Sequence, residues 1–184
     1  MIAGRSTRAR VATAAALAAL LIAACGGSSG VKPSAYVRSV CQSLGNWRNT
    51  IQSAGIALQS SGAATAARSV AKQDYQRFVN SLVIATGRAT RDLKAAGTPA
   101  VRDGQQIAQR LTGAFERATQ GLTRASAQAK AIQTDSASHF QVGAAAVTAQ
   151  IRSALEQIAR ASPGESQELR SAAAKEPSCV TLAG

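Results

Sequence analysis

Four consecutive stretches of this chain carry apolar residues at alternating spacings of three and four, a pattern that is buried only when helices pack side by side. The first stripe runs Val37, Val40, Leu44, Trp47, Ile51, Ala54 and Leu58. The second runs Ala71, Tyr75, Phe78, Leu82, Ala85, Ala89 and Leu93, with Val79 and Val83 beside it. The third is Val101, Ala108, Leu111, Phe115, Ala118, Leu122, Ala125, Ala129 and Ile132, and the fourth is Phe140, Ala144, Val147, Ile151, Ala154 and Ile158. No region alternates with period two and β-branched residues are thinly spread, so strands are not expected. The expected fold is all-α: an up-down bundle of four long helices plus a short C-terminal helix. Alanine fills many stripe positions, which brings helix axes toward the ~8 Å end of their usual range and leaves a narrow core.

The breaks between stripes have their own chemistry. Ser60-Ser61-Gly62 separates the first from the second, and Gly97-Thr98-Pro99 reads as a C′ glycine, an N-cap threonine and an N1 proline. Thr134-Asp135-Ser136 offers an N-cap for the fourth helix. Ser162-Pro163-Gly164-Glu165 has capping-box spacing, which predicts a short fifth helix to about Lys175 that Pro177 stops. Connections this short make neighbouring helices antiparallel, so the end of the fourth returns to the start of the first.

Ahead of the stripes lies a different kind of segment. Arg5, Arg8 and Arg10 precede an uncharged apolar run, Val11 to Ala24, which leads into Cys25 and then Gly26-Gly27-Ser28-Ser29-Gly30. A positive n-region followed by a short apolar h-region is a secretory signal. Its 14 residues would rise about 21 Å as a helix, short of a hydrocarbon core of roughly 30 Å. Ile22-Ala23-Ala24-Cys25 resembles the bacterial lipobox, an aliphatic residue and two small residues before an obligatory cysteine. The resemblance implies cleavage before Cys25 and a thioether-linked diacylglycerol on it, hence a cell-membrane location on the extracytoplasmic side. The implied organisation is a signal peptide over 1–24, a lipidated tether over 25–33 and a helical domain over 34–184.

Cleavage there removes three arginines and no acid, leaving 18 basic against 9 acidic groups, a net +9. Such a surface prefers anionic neighbours, which outside a membrane are phospholipid headgroups, anionic wall polymers or acidic proteins, and nucleic acid is not an expected partner. With Cys25 assigned to lipid, Cys41 and Cys179 remain, and a cysteine pair in an exported chain is expected to form a disulfide. The whole resembles the small, alanine-rich, all-helical lipoproteins of actinobacteria, many of which have no assigned activity.

Catalytic constellations are hard to assemble from what is left. The one histidine, His139, has Asp135 four residues before it, but no serine stands in a Gly-x-Ser-x-Gly context. Asp74, Asp92, Asp103, Glu116 and Glu156 are scattered rather than paired, and Gly26 to Gly30 lacks the lysine of a phosphate-binding loop. No catalytic, metal-binding or cofactor-binding residue is nominated, no cofactor is expected, and the chain is read as a non-enzyme. The aromatic residues lie on or beside the stripes, so core packing claims them, with Trp47 next to Arg48 the one candidate for a ligand-facing patch. Two functions fit: a membrane-anchored helical interaction module, or a carrier or sensor holding a small ligand between helices.

Overall fold

The computed structural model describes residues 30–63, 66–161 and 166–183, and in these the chain is helical without a strand. Three helices of equal length come first: α1 (Pro33–Ser60), α2 (Arg68–Ala95) and α3 (Gly104–Ala131). At 28 residues each they run about 42 Å. The slightly shorter α4 (Ala137–Ala159) follows, and two one-to-two-turn helices, α5 (Gln167–Ala173) and α6 (Pro177–Ala183), complete the order. The all-α expectation is met. Cys25, the lipobox and the Gly26–Ser29 part of the tether lie outside the described residues, as does the Ser162–Glu165 capping box.

Proline at the first position opens α1, where its missing N–H is one of the helix's orphan donors. The fourth-helix cap is as expected: Ser136 is the N-cap of α4, its Oγ accepting from the His139 amide at 3.1 Å. The α2–α3 junction differs. Gly97 is the expected left-handed C′ residue (φ 76°), but Thr98 does not cap α3 and Pro99 is not its first residue. Those two residues are claimed from outside the helix. The Thr98 carbonyl accepts from the Val31 amide at 2.7 Å, and the Val31 carbonyl accepts from the Ala100 amide at 2.8 Å, which makes an isolated parallel bridge between Val31 and Pro99. The threonine is spent holding the chain's entry strap, so Val101 stays in the loop and α3 begins after Asp103, itself left-handed at φ 57°.

The core divides into two clusters along the bundle. At the end where the chain enters, Tyr36, Val37 and Val40 of α1 meet Ala89, Leu93 and Ala96 near the end of α2, Ile107, Leu111 and Phe115 of α3, and Leu169 of α5, with Ile158 and Ala161 from the end of α4 packed against them. The end of α4 therefore reaches the same core cluster as the start of α1. At the far end Val79 and Leu82 meet Leu122, Ala125, Ala129 and Ile132, closed by Val147, Ile151 and Ala154. The helices pack in chain order, α1 on α2, α2 on α3 and α3 on α4, while α1 takes α5 and α6 rather than a long seam with α4. The α3–α4 seam is tight at Gly121. A Cβ built on Gly121 would sit 2.8 Å from the Ala154 Cβ, so only glycine fits there without moving α4.

The second half of α1 is less covered. Of the first stripe Val37 and Val40 are buried, while Leu44, Trp47, Ile51, Ala54 and Leu58 are half-buried and Ile56 points into solvent. At the C-terminus Pro177 starts α6 as well as ending what precedes it, since a first-turn proline loses no hydrogen bond. Cys179 thus lies on a second short helix, docked on α1 by its disulfide to Cys41 with a Cα–Cα distance of 5.1 Å. The Arg48 guanidinium donates to the Leu182 carbonyl at 2.9 Å, and Arg38 donates to Glu176 at 3.1 Å.

These contacts carry a pH dependence. Glu176 is held below the usual glutamate range first by its hydrogen bond from Arg38, Glu168 by one from Ser166, and Asp135 by one from His139. Each lowered carboxyl favours the fold above its unfolded value, and that contribution is lost as pH falls through the lower folded value. Tyr36, whose phenol burial pushes up, loses its contribution on the alkaline side as pH rises from its unfolded toward its folded value. The expected result is a stability plateau from near neutrality to mildly alkaline pH, with Tm falling below the ordinary carboxylate range. Amide exchange should rise first over α6. A Tm flat into strong acid would contradict these assignments.

Candidate functional site

The first half of α3 turns its apolar stripe, Ile107, Leu111 and Phe115, into the core. That orientation sets Gln106, Gln109, Arg110 and Arg117 on the outer surface, with Arg110 and Arg117 two turns apart on one face. Because α4 returns antiparallel, its last turn lies beside this part of α3 and adds Gln157 and Arg160. These six residues, with Ala161, line an open groove of about 570 Å³. Arg110 Nη2 donates to Gln106 Oε1 at 3.4 Å, which keeps the two side chains together, and Arg160 is steadied by Glu156 at 3.2 Å. Among the described residues that line the groove none is acidic.

Three guanidiniums and three carboxamides facing one trough define what it can hold. Planar guanidinium forks match the paired oxygens of phosphate or carboxylate. Carboxamides both donate and accept, which suits hydroxyl groups beside such an anion. The described side chains of the groove suit recognition of an anion. Nothing in the sequence reading singled it out. The available signals were the four-residue spacing of Gln106 and Arg110, the seven-residue spacing to Arg117, and the antiparallel pairing that brings Arg160 alongside.

The residues that were singled out fall elsewhere. Asp135 and His139 are brought together, Oδ2 to Nδ1 at 2.9 Å, at the exposed start of α4. No hydroxyl donates to the other ring nitrogen among the described residues, which leaves the pair as a helix-terminal contact. Trp47 and Arg48 do not form a patch: the indole Nε1 donates to Thr86 at 3.0 Å, and Arg48 turns to α6. Asp74 is buried with one carboxylate oxygen on Arg77. Among the described residues no group of three or more His, Cys, Asp or Glu is placed to hold a metal, and no helix is long and apolar enough to cross a membrane. Two further surface grooves, about 340 Å³ between α1 and α2 beside Trp47 and about 410 Å³ beside Ile132 and Val142, mix polar and apolar walls without a comparable set of like charges. No protein-family model, no curated protein and no solved structure matches the chain.

Proposed function

We propose that this chain is a membrane-anchored extracytoplasmic lipoprotein that acts as a helical interaction module for anionic partners, the anchor being diacylglycerol on Cys25. The observation that carries the reading is the excess of basic over acidic residues along the chain, with Arg110, Arg117 and Arg160 among the residues that line one surface groove. The alanine-closed seams, with Ala118, Ala125 and Ala154 buried between helices, favour recognition on the surface over a ligand carried inside. The Cys41–Cys179 disulfide suits an oxidising compartment.

Two measurements test it. A clickable fatty acid fed to cells is expected to label the wild type and not Cys25→Ala, and an unlabelled wild type would remove the anchor. Crosslinking in intact cells followed by capture of the tagged full chain is expected to recover an anionic polymer or acidic protein at low salt. That capture should fade as salt rises, because screening shortens from about 10 Å at 0.1 M to about 3 Å at 1 M. Capture that is indifferent to salt would argue for an apolar interface instead.

A further inference from the structure

Between the middle of α1 and the second half of α2 the surface holds a trough of about 340 Å³. Asn46, Asn49 and Thr50 face it from α1, and Arg88 and Asp92 from α2. Among the described residues no hydrogen bond or ion pair engages the side chains of Asn46, Asn49, Arg88 or Asp92. Other charged side chains of the same two helices are taken: Arg48 by the Leu182 carbonyl, Asp74 by Arg77, and Lys94 by Glu116. Arg88 and Asp92 stand one turn apart on α2 without pairing, base before acid being the weaker order for such a contact.

The rest of the trough is apolar and rigid. Trp47 is pinned by its hydrogen bond to Thr86 and its T-shaped contact with Phe115, and its uncovered part lines the trough above the buried Ala85 and Ala89. Ser43 completes the floor. It is buried, and its Oγ has no hydrogen-bond partner, whereas Thr50 donates back to the Asn46 carbonyl at 2.8 Å. A buried hydroxyl left unmet is unfavourable, so this floor carries a polar group that packing alone does not explain.

We infer that the α1–α2 trough is a binding site for a neutral hydroxylated ring, a sugar unit. One guanidinium and one carboxylate cancel, so the trough selects no net charge on a chain that is basic as a whole. A zwitterion would occupy Arg88 and Asp92 and leave the two carboxamides and Thr50 idle. Neighbouring hydroxyls use all five, since each donates and accepts: Arg88 donates to them, Asp92 accepts from them, and Asn46, Asn49 and Thr50 do both. The C–H face of the ring packs on Trp47. The volume lies at the lower end of the usual range for small-molecule sites. This inference stands apart from the anionic-partner reading, because it rests on other residues and on an uncharged ligand.

Trp47 is the single tryptophan of the chain, so its emission reads the site directly. The full chain, held in a polyoxyethylene detergent that carries neither sugar nor charge, is titrated with trehalose, maltotriose or diacetylchitobiose, and with alanine as the zwitterion. At least one sugar is expected to give a saturable blue shift as it displaces water from the indole. Its Kd should hold within about twofold between about 0.1 M and 1 M salt, although screening tightens from about 10 Å to about 3 Å. Asn46→Ala and Asp92→Ala each remove an exposed polar group and should weaken that binding about tenfold with Tm unchanged. Arg152→Ala, exposed on α4 and outside the trough, should bind as the wild type does. No saturable shift from any of the three sugars up to about 100 mM, where a Kd of about 10 mM gives roughly 90% occupancy, would overturn the site. So would a sugar response that Asn46→Ala and Asp92→Ala leave intact, or one that Arg152→Ala weakens equally. Saturation by alanine in place of the sugars, or a Kd that climbs steeply with salt, would overturn the neutral-sugar assignment.

Discussion

Replacing both bridged cysteines, Cys41→Ser with Cys179→Ser, is expected to destabilise the domain by about 5 kcal/mol. The bridge joins residues 138 apart in sequence, so opening it returns most of the domain's loop-closure entropy to the unfolded chain. In a domain of this size each kcal/mol moves Tm by about 2–4 °C, which puts the drop at roughly 10–20 °C in a calorimetric scan. The native fold should survive, because Glu176 and Leu182 keep their arginine contacts from α1 and the far core cluster contains no cysteine. Far-UV circular dichroism of the double variant should therefore be nearly unchanged at room temperature while the melting curve shifts. A shift of only a few degrees would mean that the unfolded chain is already compact enough for the bridge to constrain little.

That bridge is also where sequence and structure speak to each other most directly. The cysteine pairing was legible because lipid was expected to take Cys25, and the antiparallel order of helices was expected to bring the C-terminal segment back to α1. The helices themselves were legible for a related reason: an apolar stripe with the helical period has one economical burial. Nearly all of the third stripe is buried, from Ala108 to Ile132, because α3 is covered on two sides, by α2 and by α4. The first stripe was a poorer guide beyond Val40. Nothing in its spacing shows that α1 would take the short C-terminal helices as neighbours instead of a full seam with α4, and its positions from Leu44 to Leu58 are half-covered.

The α2–α3 junction was misread for a reason that is not local. Gly-Thr-Pro is good capping chemistry, but the Thr98 carbonyl and the Ala100 amide bond to Val31, far away in sequence. Local signals cannot report a tertiary competitor for the same backbone groups. The groove was missed on similar grounds. Each helix contributes an ordinary solvated face of Gln and Arg, and only the packing of α3 against α4 turns two such faces into one trough. Its members are not singular residues, so a search for catalytic motifs passes over them.

Phe115→Ala is expected to have an effect of comparable size, about 3–5 kcal/mol. Phe115 is fully buried and stands where α1, α2 and α3 meet. Its ring lies edge-on to Trp47 with centroids 5.4 Å apart, and Trp47 is fixed in turn by its hydrogen bond to Thr86 on α2. The first turns of α1 are held by the disulfide and by the Val31 strap, which limits how far the helix can close on the vacated space. A cavity that does not collapse falls at the upper end of the range. Because the chain has a single tryptophan, the change can be read at the site: Trp47 emission should shift as the indole loses its aromatic neighbour, and Tm should fall by at least about 6 °C. Phe115→Leu separates the two contributions. It keeps most of the volume, at a cost under about 1.5 kcal/mol for the swap, and removes an edge-to-face pair worth about 0.5–1.5 kcal/mol. If leucine costs as much as alanine, the ring contact with Trp47, and not the filled volume, ties α1 to α3. If alanine itself costs less than about 1 kcal/mol, the bundle has closed over the gap, and the assignment of Phe115 as the pin between its helices fails.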